Sequence, residues 1–440
     1  MKAILLDRYY FVLMSLAAAF VLWANLHETT MAGILPYYRD FARVILQGFD
    51  PAAATERGLP TFPMWGYGWL MLITESKSVL LILQNTLAIL TVWFTTRFLE
   101  RRPGPSQFEL DLFKGLVLLC LPWYAFNSTL WPYSIAANSF AVSALLFVEG
   151  CERSELSLSQ IICSGLLFGL ALNFRSDLIM LPFVIAAGVI IFSRGLKVRT
   201  ATKGVIWILC IFGMLTPWAL YTKHVTGEYL WRSTNSGHVL FIGLGQLPDN
   251  KWGITPTDED PLMRRIIVQR AGPNGSSLDH KGDRILREEF ISRVLSDPWE
   301  WLRRSGYGAR LVLTMGFYPG GFFDQYSTGV RKTAKEFVAS PADFVNNYGW
   351  STWRFVLVAV SWVQGSLLLW TSLLLLPLTL FRTIKTRDML GLIVVLSIGY
   401  QTAIGVFAFN LPGYSSNMLL FHLINISKGS SLLLTHVRSA

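Results

Sequence analysis

Nine stretches of the chain are apolar and long enough to cross a lipid bilayer, and this feature restricts the fold to a bundle of membrane helices. About 20 apolar residues cross the ~30 Å hydrocarbon core as one helix. A weaker tenth stretch, 415–427, is needed to return the C-terminal tail to the side where the chain begins. We therefore predict an all-α polytopic membrane protein with about 10 transmembrane helices. The nine stronger candidates are residues 9–26, 78–98, 112–130, 131–150, 159–174, 177–193, 204–222, 354–381 and 389–408.

Lysine and arginine residues between the candidate spans fall almost entirely on alternate connections. If every span crosses once, these connections share one side, which the positive-inside rule assigns to the cytoplasm. Both termini are then cytoplasmic, and the formal net charge of +10 follows from topology without a nucleic-acid partner. We predict a multi-pass protein of the cell inner membrane, in contact with membrane lipids. The basic residues that define this side are Lys2, Arg8, Arg97, Arg101, Arg102, Arg153, Arg194, Lys197, Arg199, Lys203, Arg382, Lys385 and Arg387.

The same topology divides the chain into three parts and leaves two large loops on the outer face. Residues 1–222 form an N-terminal transmembrane module that contains the first outer loop, 27–77. Residues 223–353 form a large exoplasmic loop, and residues 354–440 form the C-terminal transmembrane helices. Ionisable residues are scarce inside the spans, which argues against an ion-coupled transporter. Chemistry is therefore expected where the spans meet the two outer loops.

The first outer loop contains a predicted juxtamembrane helix at 36–47, which a proline begins and Gly48 ends. Its apolar face is expected to lie in lipid at the membrane interface. The opposite face presents Arg39, Asp40 and Arg43 to water or to a cavity. A carboxylate beside two cations is a candidate site, although Asp40 and Arg43 also have the spacing of a simple ion pair across one helical turn.

The second outer loop has its own organisation. Its opening stretch is polar and interrupted by glycine and proline, and we therefore predict irregular structure there. An amphipathic helix is predicted at 283–296, and Asp297 and Pro298 end it. Three consecutive acidic residues at 258–260 form either a site for a hard cation or a solvated acidic turn.

Several local patterns in these segments resemble one family of membrane enzymes. The first loop has the form YY...A..IL.G..P, a Pro-Met-Trp motif precedes re-entry into the membrane, and a GH-containing loop precedes the second amphipathic helix. Together with GLLFGLALNFRSDLIMLP, they make the chain as far as about residue 320 similar to the GT-C superfamily of membrane glycosyltransferases. The nearest resemblance is to bacterial proteins of the protein O-mannosyltransferase and lipid A aminoarabinose transferase group. The matching residues are Tyr37, Tyr38, Ala42 and Gly48 in the first loop and Arg175 after the fifth or sixth span.

This resemblance implies that a sugar passes, with inversion, from a polyprenyl-phosphate donor to a glycan, lipid or protein acceptor at the outer face of the membrane. The family's catalytic base is an aspartate in a first-loop Asp-Glu pair. At the corresponding positions, about eight residues before Ala42, this chain has Ile34 and Leu35. Either Glu28 or Asp40 supplies the base instead, or the activity has been lost or changed.

An inverting transfer needs a carboxylate that takes the proton of the acceptor hydroxyl and cations that stabilise the departing phosphate. Asp40 and Glu28 are the candidate catalytic residues. The candidate ligands of the donor phosphate are Arg175, Arg39 and Arg43.

Further candidates lie outside the first loop. His238 and Gln246 are predicted to belong to a substrate loop that orders over the site, and the alternative for His238 is an ordinary surface histidine. The alternative for Arg175 is a pair with Asp177 at a helix junction. No cofactor follows with certainty from these patterns, and a divalent cation is compatible with them.

A different class of function competes with the glycosyltransferase. The chain has the general features of a lipid-linked saccharide flippase or exporter, or of a non-catalytic partner in envelope assembly. The large outer loops favour the enzyme, because the function of a transporter concentrates at the bilayer midplane. An enzyme is expected to carry a carboxylate and an arginine at the outer leaflet, whereas a flippase is expected to have a polar path through the bundle.

Overall fold

The computed structural model describes residues 2–26, 35–48, 50, 61–62, 64–74, 76–102, 105–130, 132–152, 157–193, 197–315, 340, 352–409 and 415–439, and within these ranges every regular element is helical. The prediction of an all-α fold is confirmed. The α-helices of these ranges are α1 (Lys2–Leu26), α2 (Leu35–Leu46), α3 (Gly66–Ile73), α4 (Lys77–Arg101), α5 (Gln107–Leu119), α6 (Leu121–Asn127), α7 (Pro132–Glu152), α8 (Leu158–Phe174), α9 (Leu181–Phe192), α10 (Lys197–Thr226), α11 (Ser236–Leu244), α12 (Pro261–Ala271), α13 (His280–Ser296), α14 (Pro298–Met315), α15 (Thr352–Thr386), α16 (Met389–Phe407) and α17 (Leu419–Ser439).

Six helical segments of the described chain are long and apolar enough to cross a membrane. They correspond to α4, α7, α10, α15, α16 and the region around α17. Shorter apolar helical segments cover 9–22, 158–174 and 176–192. The chain is therefore a multi-pass membrane protein, and the count of ten spans stays a prediction.

The predicted span 112–130 is divided at Cys120 into α5 and α6. Gln364 of α15 occupies this break. Its Oε1 accepts a hydrogen bond from the backbone N–H of Leu121 at 2.8 Å, and its Nε2 donates to the carbonyl oxygen of Leu119 at 2.5 Å. A non-helical turn inside the bundle is tolerated because a neighbouring helix satisfies the freed backbone groups.

Close packing between α8 and α10 fixes the outer end of α8, which is followed by Arg175. Gly165 and Gly169 lie one helical turn apart on the face of α8 that meets α10. A Cβ atom at Gly165 would lie 2.8 Å from the carbonyl oxygen of Trp207, and one at Gly169 would lie 2.8 Å from that of Ile211. Small residues at this spacing allow two membrane helices to approach closely.

Helix α3, in the predicted first outer loop, packs against α4 and the C-terminal end of α8. Trp65 Nε1 donates a hydrogen bond to Asn173 Oδ1 at 2.7 Å. A Cβ atom at Gly66 would lie 2.7 Å from the carbonyl oxygen of Asn173, so the contact requires glycine. The hydroxyl of Tyr67 donates to Gln84 Oε1 on α4 at 2.8 Å. These contacts anchor the first outer loop to two of the helices below it.

Residues 227–315, which we name the outer segment, contain α11 to α14. Arg304 of α14 joins the outer segment to α16: its Nε donates to the carbonyl oxygen of Gly243 at 2.7 Å, and its Nη1 donates to that of Val406 at 2.6 Å. Val406 lies in the last turn of α16, where the helix dipole favours a cation. Burial lowers the pKa of Arg304 to about 10, which leaves the guanidinium charged at neutral pH. The apolar core of the outer segment includes Phe241, Leu244, Met263, Ile267 and Leu286.

At the opposite end of the bundle, buried charges join the N-terminal and C-terminal helices. Lys428 Nζ of α17 lies 2.7 Å from a carboxylate oxygen of Asp388 and 3.6 Å from one of Glu109. Arg102 Nη2 lies 3.3 Å from Asp388 and 2.5 Å from Glu152. Removal of one partner from a buried pair typically costs about 3–5 kcal/mol, so this network holds the two groups of helices together.

We predict that Gly169→Val separates α8 from α10 and lowers the free energy of unfolding by about 1–3 kcal/mol. The reason is steric, because the first added carbon already lies 2.5 Å from Met214 Cβ. Gly213→Val is the matched control, since a Cβ atom there meets no described atom within 4 Å. Thermal unfolding in detergent measures both variants, and equal midpoints for the two would contradict the packing described here.

Candidate functional site

The first-loop helix α2 packs against protein, and the expectation that its apolar face lies in lipid is wrong. The ring of Phe41 lies 5.7 Å from that of Trp218 and 6.2 Å from that of Tyr221, both on α10. Tyr38 contacts Tyr67 of α3 with ring centroids 5.3 Å apart. Because both apolar edges of α2 meet aromatic partners, the helix is held against the outer ends of the spans.

This packing buries Asp40. The residue is only 5% exposed, and its Oδ1 lies 3.4 Å from Nη1 of Arg43, whose side chain is 42% exposed. The predicted pair across one helical turn is therefore present. Arg39 lies on the same helix and is half-buried. Glu28 lies outside the described residues. The result is a sheltered carboxylate with one cation beside it, which stabilises its ionised form.

Arg175 directly follows α8 and is engaged by Asp177, as the alternative interpretation predicts. Its Nε and Nη2 donate to the two carboxylate oxygens of Asp177 at 2.5 and 2.6 Å. The guanidinium carbon also lies 3.8 Å from the centroid of the Tyr133 ring. Tyr400 of α16 donates to the carbonyl oxygen of Asp177 at 2.7 Å, which fixes the turn from the other side.

The structure brings Arg175 close to α2 through Tyr38. Burial raises the pKa of the Tyr38 phenol, the neighbouring phenols of Tyr133 and Tyr67 raise it further, and the positive charge of Arg175 opposes them. Tyr38 therefore stays neutral at physiological pH and is a hydrogen-bond donor beside the guanidinium. Of the predicted site residues, Arg39, Asp40 and Arg43 share α2, and Arg175 lies near Tyr38 of the same helix.

The start of the outer segment meets both the first loop and the turn of Arg175. The hydroxyl oxygens of Thr234 and Thr61 lie 2.8 Å apart, and those of Ser233 and Ser176 lie 3.0 Å apart. We name this meeting point the outer junction: α2, α3, residues 175–178 and residues 231–235. These hydroxyl contacts were not predicted, and the only signal for them is a run of small polar residues shortly after a span.

His238 is buried within the outer segment, so its interpretation as an ordinary surface histidine is wrong. Its Nδ1 lies 3.0 Å from Ser277 Oγ, and its Nε2 lies 3.0 Å from Asp258 Oδ1. The hydrogen bond with His238 lowers the pKa of Asp258, which keeps this carboxylate ionised. The three residues join α11 to two connections of the outer segment, and a role in ordering a loop over substrate stays a prediction.

Gln246 lies at the contact between the outer segment and α16, where its Oε1 accepts a hydrogen bond from Arg304 Nη2 at 2.6 Å. The acidic stretch 258–260 is used in local structure: Asp260 accepts from the backbone N–H of Met263 at 2.6 Å and from the Thr255 hydroxyl at 2.7 Å. In the part of the chain that the structure describes, no three His, Cys, Asp or Glu residues are grouped so as to hold a metal ion.

Comparison with known proteins bears on the fold. No family model matches the chain, and no curated protein matches it. Its structure is similar to the crystal structure of an oligosaccharyltransferase from Archaeoglobus fulgidus, tethered to an acceptor peptide that contains the NVT sequon, with a TM-score of 0.50. The chain therefore shares the overall helical fold of that protein.

The similarity covers 97% of this chain and 50% of the archaeal chain, at 10% sequence identity. The chain therefore spans about half the length of that protein. At this identity the likeness is evidence for the fold, and activity and substrates must be argued from the outer junction itself.

We predict that Arg175→Ala and Asp177→Ala lower stability to a similar extent, on the order of 3 kcal/mol each, because either change leaves the other charge without its main partner. Arg284→Ala is the control, since the Arg284–Glu228 pair is exposed and should contribute about 1 kcal/mol or less. Thermal unfolding of the purified variants provides the comparison. A stable Asp177→Ala protein beside an unstable Arg175→Ala protein would show that Arg175 has a different essential partner.

Proposed function

We propose that the chain is a glycosyltransferase that moves a sugar from a polyprenyl-phosphate donor to a glycan, lipid or protein acceptor at the outer face of the cell inner membrane. The observation that carries this proposal is the buried carboxylate of Asp40 at the outer junction of a GT-C-like fold. The archaeal neighbour is an oligosaccharyltransferase, which supports membrane glycosyl transfer as the reaction class.

In this proposal Asp40 is the general base. It accepts the proton of the acceptor hydroxyl while the oxygen attacks the anomeric carbon, the bond from that carbon to the phosphate oxygen breaks, and configuration inverts. The positive charges of Arg39 and Arg43 then stabilise the departing phosphate. Arg175 contributes less, because Asp177 already compensates its charge. Glu28 is the alternative base.

The interior of the bundle supports an enzyme over a flippase. Two of its buried amides are engaged with another amide or with the backbone: Asn138 Nδ2 donates to Asn127 Oδ1 at 2.8 Å, and Gln84 Nε2 donates to the carbonyl oxygen of Thr129 at 2.7 Å. Amides that are already hydrogen-bonded to other protein groups stabilise the packing of the helices. They are not available to bind a saccharide on a path across the membrane.

The proposal predicts that Asp40→Asn reduces transfer by about 10²- to 10⁴-fold, because the amide cannot accept the hydroxyl proton. Asp50→Asn, which changes an exposed carboxylate of the same loop, is the matched control and should retain activity. Mass analysis of envelope glycans in cells that carry each variant gives the readout, with protein levels measured in parallel. Normal glycans with Asp40→Asn would reject Asp40 as the base, and normal glycans in a combined Asp40→Asn, Glu28→Gln variant would reject the first loop as its source.

A further inference from the structure

Arg232 lies in a stretch of the outer segment that turns back toward the membrane along α10. The backbone N–H of Leu230 donates a hydrogen bond to the Thr222 hydroxyl oxygen at 3.0 Å, and the same hydroxyl donates to the carbonyl oxygen of Leu230 at 3.4 Å. Trp218 Nε1, one turn nearer the bilayer, donates to the carbonyl oxygen of Arg232 at 3.3 Å. The ring of Trp231 reaches Phe212, further down the same span, with centroids 5.2 Å apart. Arg232 is therefore held close to the level at which α10 leaves the bilayer.

The guanidinium of Arg232 is the first of two cations in this region. It is half-buried, and it makes no hydrogen bond and no ion pair with any residue that the structure describes. Burial lowers its pKa, the positive charge of Arg287 lowers it further, and the carboxylate of Asp283 opposes them. A partly desolvated cation beside another cation is unfavourable unless an anion is bound nearby.

Arg287 is the second cation. Its Nη2 donates to Oδ2 of Asp283, and its Nε is buried with no hydrogen-bond partner among the described residues. Asp283 is saturated by other donors, since its Oδ1 accepts from the backbone N–H of Gly237 at 2.6 Å and from the Ser236 hydroxyl at 3.0 Å. Residues 236 and 237, which follow Arg232 closely in the chain, therefore lie against Asp283, and the charge of that carboxylate is already paired with Arg287. The electrostatic influence of both residues on Arg232 indicates that this region carries an excess positive charge.

We propose that Arg232 and Arg287 form a phosphate-binding site at the outer membrane surface, and that it takes the phosphate of a prenyl-phosphate lipid. One guanidinium group can donate hydrogen bonds to two phosphate oxygens at once. Two guanidinium groups together suit an anion that carries more than one negative charge. Ser233, the residue after Arg232, contacts Ser176 beside Arg175, so the site borders the outer junction. A phosphate on a lipid tail in the outer leaflet arrives at this level. The choice of a prenyl phosphate rests on the proposed function.

The test is binding of undecaprenyl phosphate to the purified full-length protein in nanodiscs, measured by native mass spectrometry. Arg232→Gln is the main variant, because this side chain makes no hydrogen bond or ion pair with the described residues whose loss would destabilise the protein. We expect Arg232→Gln and Arg287→Gln each to weaken binding about tenfold or more, as for the loss of one charge-assisted hydrogen bond. Arg264→Gln is the matched control, since Arg264 is an exposed arginine of the same segment, and its binding should equal that of the wild type.

Two further ligands, one lipid and one free ion, identify the source of the phosphate. Phosphatidylglycerol should bind much more weakly than undecaprenyl phosphate, and inorganic phosphate should compete with undecaprenyl phosphate in the wild type alone. Equal binding of phosphatidylglycerol would overturn the assignment to a prenyl phosphate. Unchanged undecaprenyl phosphate binding in a folded Arg232→Gln, Arg287→Gln double variant would overturn the site.

The outcome is separable from that of the proposed function, because the readout is binding. A protein that binds undecaprenyl phosphate through both arginines and transfers no sugar would reject the glycosyltransferase and retain the site. A double variant that transfers sugar at the normal rate would reject the site and retain the glycosyltransferase.

Discussion

The packing of α2 against the aromatic side chains of α10 and α3 is the interaction on which the outer junction depends. Phe41 contacts Trp218 and Tyr221 on one side, and Tyr38 contacts Tyr67 on the other. Aromatic pairs contribute roughly 0.5–1.5 kcal/mol each beyond the burial of their area. These contacts determine the height and the rotation of α2, and therefore the burial of Asp40. An α2 that lay in lipid would leave this carboxylate in the hydrated headgroup region, where its position relative to the other helices would not be fixed.

Short polar contacts also join the first loop to the end of α8 and to the start of the outer segment. Trp65 bonds to Asn173 at the end of α8, and Thr61 meets Thr234 at the start of the outer segment. Arg304 then attaches the far side of the outer segment to α16. An enzyme that joins a lipid-borne donor to an acceptor must hold both at one height relative to the membrane. Such positioning accounts for a large part of the rate enhancement in transfer reactions.

Two helices of the loops could be predicted from sequence, because periodicity and helix-ending residues are properties of neighbouring positions. The prediction of irregular structure at the start of the second loop is wrong, since this stretch contains α11. The helix predicted at 36–47 is α2 at Leu35–Leu46, and the helix predicted at 283–296 is the C-terminal part of α13 at His280–Ser296. The partner of the apolar face of α2 could not be predicted in the same way. An amphipathic pattern is the same whether lipid or protein covers it.

Contacts between distant residues account for the remaining differences. His238 bonds to residues 20 and 39 positions away, and Thr61 meets a residue 173 positions away. No local pattern encodes such pairs. The proposed site at Arg232 and Arg287 could not be predicted for the same reason. Each is an ordinary basic residue in sequence, and only the fold places both near Asp283. Arg175 shows the reverse case, because its partner Asp177 is two residues away and its pairing was among the expected alternatives.

The central claim is that a lipid-linked saccharide is consumed by chemistry at the outer junction. The most direct measurement reconstitutes the purified protein in proteoliposomes with lipid-linked saccharides and an envelope extract from the cells that make it, and follows the lipids by mass spectrometry. The account predicts that the lipid-linked saccharide decreases while sugar-free polyprenyl phosphate or pyrophosphate and a glycosylated acceptor increase together. Movement of the intact lipid-linked saccharide between leaflets, with no loss of its sugar, would contradict the account and establish a flippase.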